Sequence, residues 1–73
     1  MNAIYWKDTD NGKKLICEDK RVERVWVHGG GNANNFTHNI SFKFLNKRVL
    51  TISSSEPDNV IDLGNHFLKS YIF

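Results

Sequence analysis

Between Phe36 and Leu45 the chain alternates strictly, with Phe36, His38, Ile40, Phe42 and Phe44 set against Thr37, Asn39, Ser41 and Lys43. A period of two places successive side chains on opposite faces, so this run predicts a strand with one face in the core and one toward water. A return strand follows at Val49 to Ser53. A three-residue loop of Asn46, Lys47 and Arg48 would pair Leu45 with Val49, setting Phe44 beside Leu50 and Phe42 beside Ile52 on the buried face. A two-residue loop would put these apolar groups on opposite faces and is rejected for that reason.

Two shorter runs open the chain. Ala3 to Lys7 and Lys14 to Glu18 are aromatic and β-branched, and the cluster Asp8-Thr9-Asp10-Asn11-Gly12 between them reads as a hairpin turn. Pairing Lys7 with Lys14 sets Trp6 against Leu15 and Ile4 against Cys17 on one side, and Tyr5 against Ile16 on the other. Glu18-Asp19-Lys20 makes a charged turn, and Arg21 to His28 reads as a third strand. Its inward face is ambiguous, since Val25 and Val27 share one parity while Val22 and Trp26 share the other. Between this strand and the alternating one lie Gly29 to Asn35, a seven-residue glycine- and asparagine-rich stretch that reads as a long hairpin tip.

From Ser55 the period changes. Ser55 can cap a helix, Pro57 fits its first turn, and Glu56 and Asp58 complement the positive end of the helix dipole. Val60, Ile61, Gly64, Phe67, Leu68 and Tyr71 then recur at three- and four-residue spacing, with Asp62, Asn65, His66 and Lys69 on the other side. Gly64 in the apolar stripe implies a close approach to the sheet, with Phe42 or Trp6 over it. The expected fold is an α+β single domain over residues 1–73: a five-stranded curved antiparallel sheet packed on one C-terminal helix. Its strands run over about 3–7, 14–18, 21–28, 36–45 and 49–53, and its helix over about 56–71.

Composition narrows the function. At 73 residues the core is small, which favours a surface site over a deep enclosed one. The hydrophobic fraction of 40% and charged fraction of 25% are those of a globular chain. A formal net charge of +2 permits nucleic acid as a partner without implying it. Cys17 is the sole cysteine, so the chain holds no internal disulfide and fits a reducing, cytoplasmic setting. No window reaches the run of about 18 apolar residues a membrane span needs.

Each candidate chemistry meets a simpler alternative. The three glycines, Gly29 to Gly31, lack the lysine, hydroxyl and following helix of a phosphate loop. Asp8 to Gly12 resembles a calcium loop only in its alternating oxygens, with the glycine one place early and strands where helices belong. His28 and His38 could approach each other across the third and fourth strands, yet no third ligand is spaced to join them, so no metal or other cofactor is expected. Cys17 alternates with Leu15 on a core face, a poor setting for a nucleophile, so no catalytic residue is assigned.

What remains is the sheet face opposite the helix. If Val25 and Val27 point inward, Arg24, Trp26 and His28 point outward beside Asn39, Ser41 and Lys43; the alternative buries Trp26. The expectation is a non-catalytic module that docks on a larger protein or complex, of the accessory or inhibitory kind carried by phages and mobile elements. Its contacts would come from Arg24, Trp26, His28, Gly30, Asn32, Asn34 and Lys43, and pairing into a homodimer is compatible with it. The other reading is direct nucleic-acid binding through Lys20, Arg21, Arg24, Lys43, Lys47 and Arg48 with Trp26 as a stacking surface.

Overall fold

The structure, a computed structural model, describes residues 2–32, 34–56 and 59–71, the side chains of Asn32 and Asn35 excepted. Its elements are β1 (Ile4–Thr9), β2 (Gly12–Cys17), β3 (Val22–Asn32), β4 (Asn35–Phe44), β5 (Val49–Ser54) and α1 (Val60–Ser70). The α+β class, five antiparallel strands and C-terminal helix agree with the pattern. The single curved sheet does not: β1 and β2 form a two-stranded sheet, and β3, β4 and β5 form a three-stranded one in that order.

The division arises at the link between β2 and β3. The Asp19 carboxylate accepts from the Arg21 backbone N–H at 2.9 Å, and the Asp19 carbonyl accepts from the Val22 N–H at 3.1 Å. Leu45 N–H then donates to the Arg21 carbonyl at 2.9 Å. This local turn carries the chain from β2 to a place beside β4, and β2 and β3 are not hydrogen-bonded neighbours.

The first hairpin adopts the expected register, Ile4 with Cys17 through Lys7 with Lys14, and continues to Thr9 with Gly12. Asp10 and Asn11 are its two-residue turn. Thr9 Oγ1 donates to the Gly12 carbonyl at 2.6 Å, and Gly12 has φ of 113°, a conformation that suits glycine.

The β4–β5 hairpin keeps its parity and shifts by two residues. Lys43 pairs with Val49, Phe42 with Leu50 and Ile40 with Ile52, in place of the expected Phe44 with Leu50. The loop has three residues, as expected, but they are Leu45, Asn46 and Lys47: Phe44 N–H donates to the Arg48 carbonyl and Lys47 N–H to the Phe44 carbonyl, both at 2.9 Å. Lys47 takes φ of 75°, the left-handed residue that closes a three-residue loop of this kind. A slip of two preserves the faces, so the buried side is unaffected.

The glycine stretch is not a long loop. Gly29 pairs with His38, Gly30 with Thr37, Gly31 with Phe36 and Asn32 with Asn35, leaving residues 33–34 as the link, of which Ala33 lies outside the described residues. Glycine permits this packing, since a Cβ on Gly29 would lie 2.5 Å from Cζ of Phe36. The Phe36 ring crosses the glycine backbone and meets His38 edge-on at 5.1 Å.

Ile4, Ile40, Phe42, Phe44, Val60 and Leu68 form the core between α1 and the two sheets. Phe42 stacks on Phe67 at 6.1 Å and Phe44 on Tyr71 at 5.2 Å. Gly64 is the point of closest approach: a Cβ there would meet Ile4 and Phe42 at 3.1 Å and Ile40 at 3.2 Å. Phe42 takes the expected place over it, whereas Trp6 stays 45% exposed. Asn65, expected on the solvent side, is buried and hydrogen-bonded to both backbone groups of Ile4.

The helix begins at Val60 rather than near 56. Asn59 occupies the N-cap position without a capping side-chain bond, and it is Ser54, not the expected Ser55, whose hydroxyl accepts from a following N–H, that of Glu56. Pro57 and Asp58 lie outside the described residues. Among the described residues no helix is long and apolar enough to cross a membrane.

Candidate functional site

Antiparallel register converts the outer face of the three-stranded sheet into a grid. Arg24, Lys43 and Val49 form one row, Trp26, Ser41 and Thr51 the next, and His28, Asn39 and Ser53 the third. Val25 packs toward the core, so the ambiguity in β3 resolves with Arg24, Trp26 and His28 facing outward. Trp26 is half-buried among these neighbours and stands outside the core. The Arg24 guanidinium lies over its ring, 5.0 Å from the centroid, within the range of a cation–π contact.

Hydrogen bonds fix the middle of the grid. His28 Nε2 and Ser41 Oγ are 2.9 Å apart, and Ser41 Oγ is 2.8 Å from Thr51 Oγ1. Asn39 Nδ2 donates to the His28 carbonyl at 3.2 Å, while its Oδ1 accepts from the Ser53 hydroxyl. Among the described residues every buried side-chain nitrogen or oxygen has a partner. A polar face whose groups are already satisfied is held in place before anything binds, which lowers the ordering cost of binding.

The His28 and Ser41 contact has the spacing of a base and a nucleophile, but the rest of such a site is missing. Ser41 is 2% exposed and shares its hydroxyl with Thr51. Among the described residues no carboxylate bonds to His28. Nor do the histidines meet: His38 pairs with Gly29 on the neighbouring strand and projects to the helix side with Phe36, on the opposite face from His28. Among the described residues no three His, Cys, Asp or Glu side chains could hold a metal. Cys17 packs against the core, and burial pushes its thiol pKa up, away from a reactive thiolate.

The remaining candidates fall at the ends of the grid. Gly30 continues the outer column beyond His28, with Asn39 Nδ2 at 3.7 Å from where its Cβ would be. Asn34 is exposed in the tip, and the Asn32 side chain lies outside the described residues. The six cations of the nucleic-acid set gather near the opposite end, where two acids already engage half of them. Glu23, the bulged residue of β3, holds Lys47 at 3.0 Å and Lys43 at 3.7 Å, and these lysines hold its carboxyl pKa below the ordinary value. Arg21 clamps Asp19 through Nε at 2.9 Å and Nη2 at 2.6 Å, and donates to the carbonyls of Leu68 and Tyr71. Lys20, Arg24 and Arg48 make no ion pair among the described residues.

The alternation in β5 already sets Thr51 on the outer side with Lys43, but Val49, Thr51 and Ser53 were not counted among the candidate residues, and the observed register shows that they complete the grid. Sequence reasoning also missed two grooves beside β3. One, of about 290 Å³, lies between β2 and β3 and includes Lys14, Leu15, Arg24 and Val25. The other, of about 310 Å³, lies between Trp6, Val27, Gly29 and the start of α1 at Ile61.

No family model, curated protein or solved structure matches the chain.

Proposed function

We propose that this chain is a non-catalytic module that docks on a larger protein through the outer face of its three-stranded sheet. The observation that carries the reading is the Arg24–Trp26 stack on a polar grid whose hydrogen bonds are already made. Tryptophan and arginine are the side chains most often found at the energetic centre of protein interfaces. The stack offers a flat apolar ring and a fixed cation beside amide and hydroxyl groups, a combination that suits a protein surface with an acidic or carbonyl-rich contact. An accessory or inhibitory role, covering a partner's surface, fits a domain of this size.

The test is affinity capture from the native host with the wild-type chain and with a variant carrying Arg24→Glu, Trp26→Ala and Lys43→Glu, both shown to be folded by circular dichroism. A specific protein held by the wild type and lost by the variant supports docking through this face. Capture unchanged by the variant removes it. Retention of oligonucleotide alone, weakening steeply with salt, replaces it with the nucleic-acid reading.

A further inference from the structure

β3 is an edge strand of eleven residues. Natural edges are blunted by shortness, proline, lysine or bulges, because an unpaired row of N–H and C=O groups is a template for another strand. β3 has one bulge, at Glu23. From Arg24 to Asn32 it carries neither proline nor lysine, and Gly29, Gly30 and Gly31 put no side chain in the way of an approaching strand, although the Phe36 ring covers Gly29 on the helix side. β5, the other edge of the same sheet, has only six residues.

Both grooves lie along this strand, the first at Val22 to Val25 and the second at Val27 to Gly29. Side chains on an added strand would alternate between the outer face, beside Arg24, Trp26 and His28, and the helix side, beside Val25 and Val27 with Leu15 and Trp6 as walls. Charge selects the occupant. Lys14 stands directly opposite Lys7 in the first hairpin, an unfavourable like-charge pair, and neither lysine nor Arg24 has a carboxylate partner among the described residues. Among the described residues that line the first groove the one acid, Glu23, is engaged by Lys43 and Lys47. A second copy of the chain would bring more uncompensated cations to the same edge.

We infer that the edge of β3 from Arg24 to Gly31 receives an extended acidic segment of a partner protein as an added strand, with carboxylates toward Arg24 and Lys14 and apolar side chains toward Val25, Val27 and Trp6. The inference rests on the docking reading above and names the element of the partner that is held. Strand addition supplies affinity through backbone hydrogen bonds and selectivity through alternate side chains.

The probe is an eight-residue peptide alternating valine and glutamate, compared with its valine and lysine counterpart and with a version N-methylated along one edge. Amide hydrogen exchange on the full chain, read by NMR, reports which strand is covered. The glutamate peptide is expected to slow exchange between residues 24 and 31 at least tenfold and to leave β5 unchanged. N-methylation should abolish the effect, and the lysine peptide or the double variant Lys14→Glu, Arg24→Glu should bind at least tenfold more weakly. Absence of slowing in β3 at millimolar peptide, or equal binding of both peptides, overturns the inference. So does slowing that grows with protein concentration alone, which means a second copy takes the edge, and so does stronger protection by an oligonucleotide. If the outer-face variant loses its protein partner while no peptide covers β3, strand addition falls and the docking reading stands.

Discussion

Asn65 makes with Ile4 the two hydrogen bonds that a neighbouring strand would make. Ile4 N–H donates to Asn65 Oδ1 at 2.8 Å, and Asn65 Nδ2 donates to the Ile4 carbonyl at 3.0 Å. One side chain of α1 therefore satisfies the outer edge of β1 at Ile4 and ties the two-stranded sheet to the helix that packs on the three-stranded one. Replacing it with leucine leaves two buried backbone groups unpaired, at a cost of about 1–3 kcal/mol each. A domain of this size has roughly 3–5 kcal/mol in all. Urea denaturation of Asn65→Leu is expected to show a largely unfolded chain at 25 °C; a midpoint equal to wild type would mean the bond pair contributes nothing.

Arg21 ties the β2–β3 link to the end of α1, and Asp19 holds it there. The side-chain hydrogen bond from Arg21 keeps the Asp19 carboxyl below its ordinary pKa. A group whose folded pKa is lowered stabilises the fold above its unfolded value, about 3.9, and loses that contribution as pH falls through the folded value. Asp19→Asn is therefore expected to cost about 1–2 kcal/mol at pH 7. The gap from wild type should narrow as acid protonates Asp19, which denaturation at pH 7 and in acid measures.

Gly64 and Gly29 respond differently to the same substitution. Alanine at Gly64 gains about 1 kcal/mol in helix propensity but presses on Ile4, Ile40 and Phe42, all fully buried, and overpacking costs about 1–3 kcal/mol. A net loss in thermal stability is expected. At Gly29 the obstructing ring belongs to Phe36, which is 51% exposed and can swing aside, so Gly29→Ala should be near neutral.

Lys47 holds a left-handed conformation that costs an L-residue roughly 1–2 kcal/mol. Its ion pair with Glu23 is exposed and screened by solvent, so it offsets little of that strain. Lys47→Gly is expected to raise the stability by about 0.5–1 kcal/mol; a clear loss would show that the pair outweighs the strain.

The outer face was legible wherever alternation is strict. Once Val25 and Val27 are taken as inward, Arg24, Trp26 and His28 must share a face with Asn39, Ser41 and Lys43. Position along the strands was less legible, because alternation fixes parity and leaves shifts of two undecided, as the β4–β5 ladder demonstrates. The split of the sheet accompanies a turn in which Asp19 holds Arg21, and the bonds of Arg21 to Leu45, Leu68 and Tyr71 join distant parts of the chain and leave no local pattern. Asn65 was misplaced for a related reason: a polar residue marks the solvent side of a helix unless a backbone edge needs its amide.

The most direct test of docking is photo-crosslinking in the native host, with the reactive group at Thr51, beside Ser41 and in the same row as Trp26 on the outer face, or at Asp62, exposed on α1. A discrete protein adduct is predicted from Thr51 and none from Asp62, and Trp26→Ala with Arg24→Glu should remove it. Equal adducts from both positions, or an adduct with nucleic acid alone, would contradict the account.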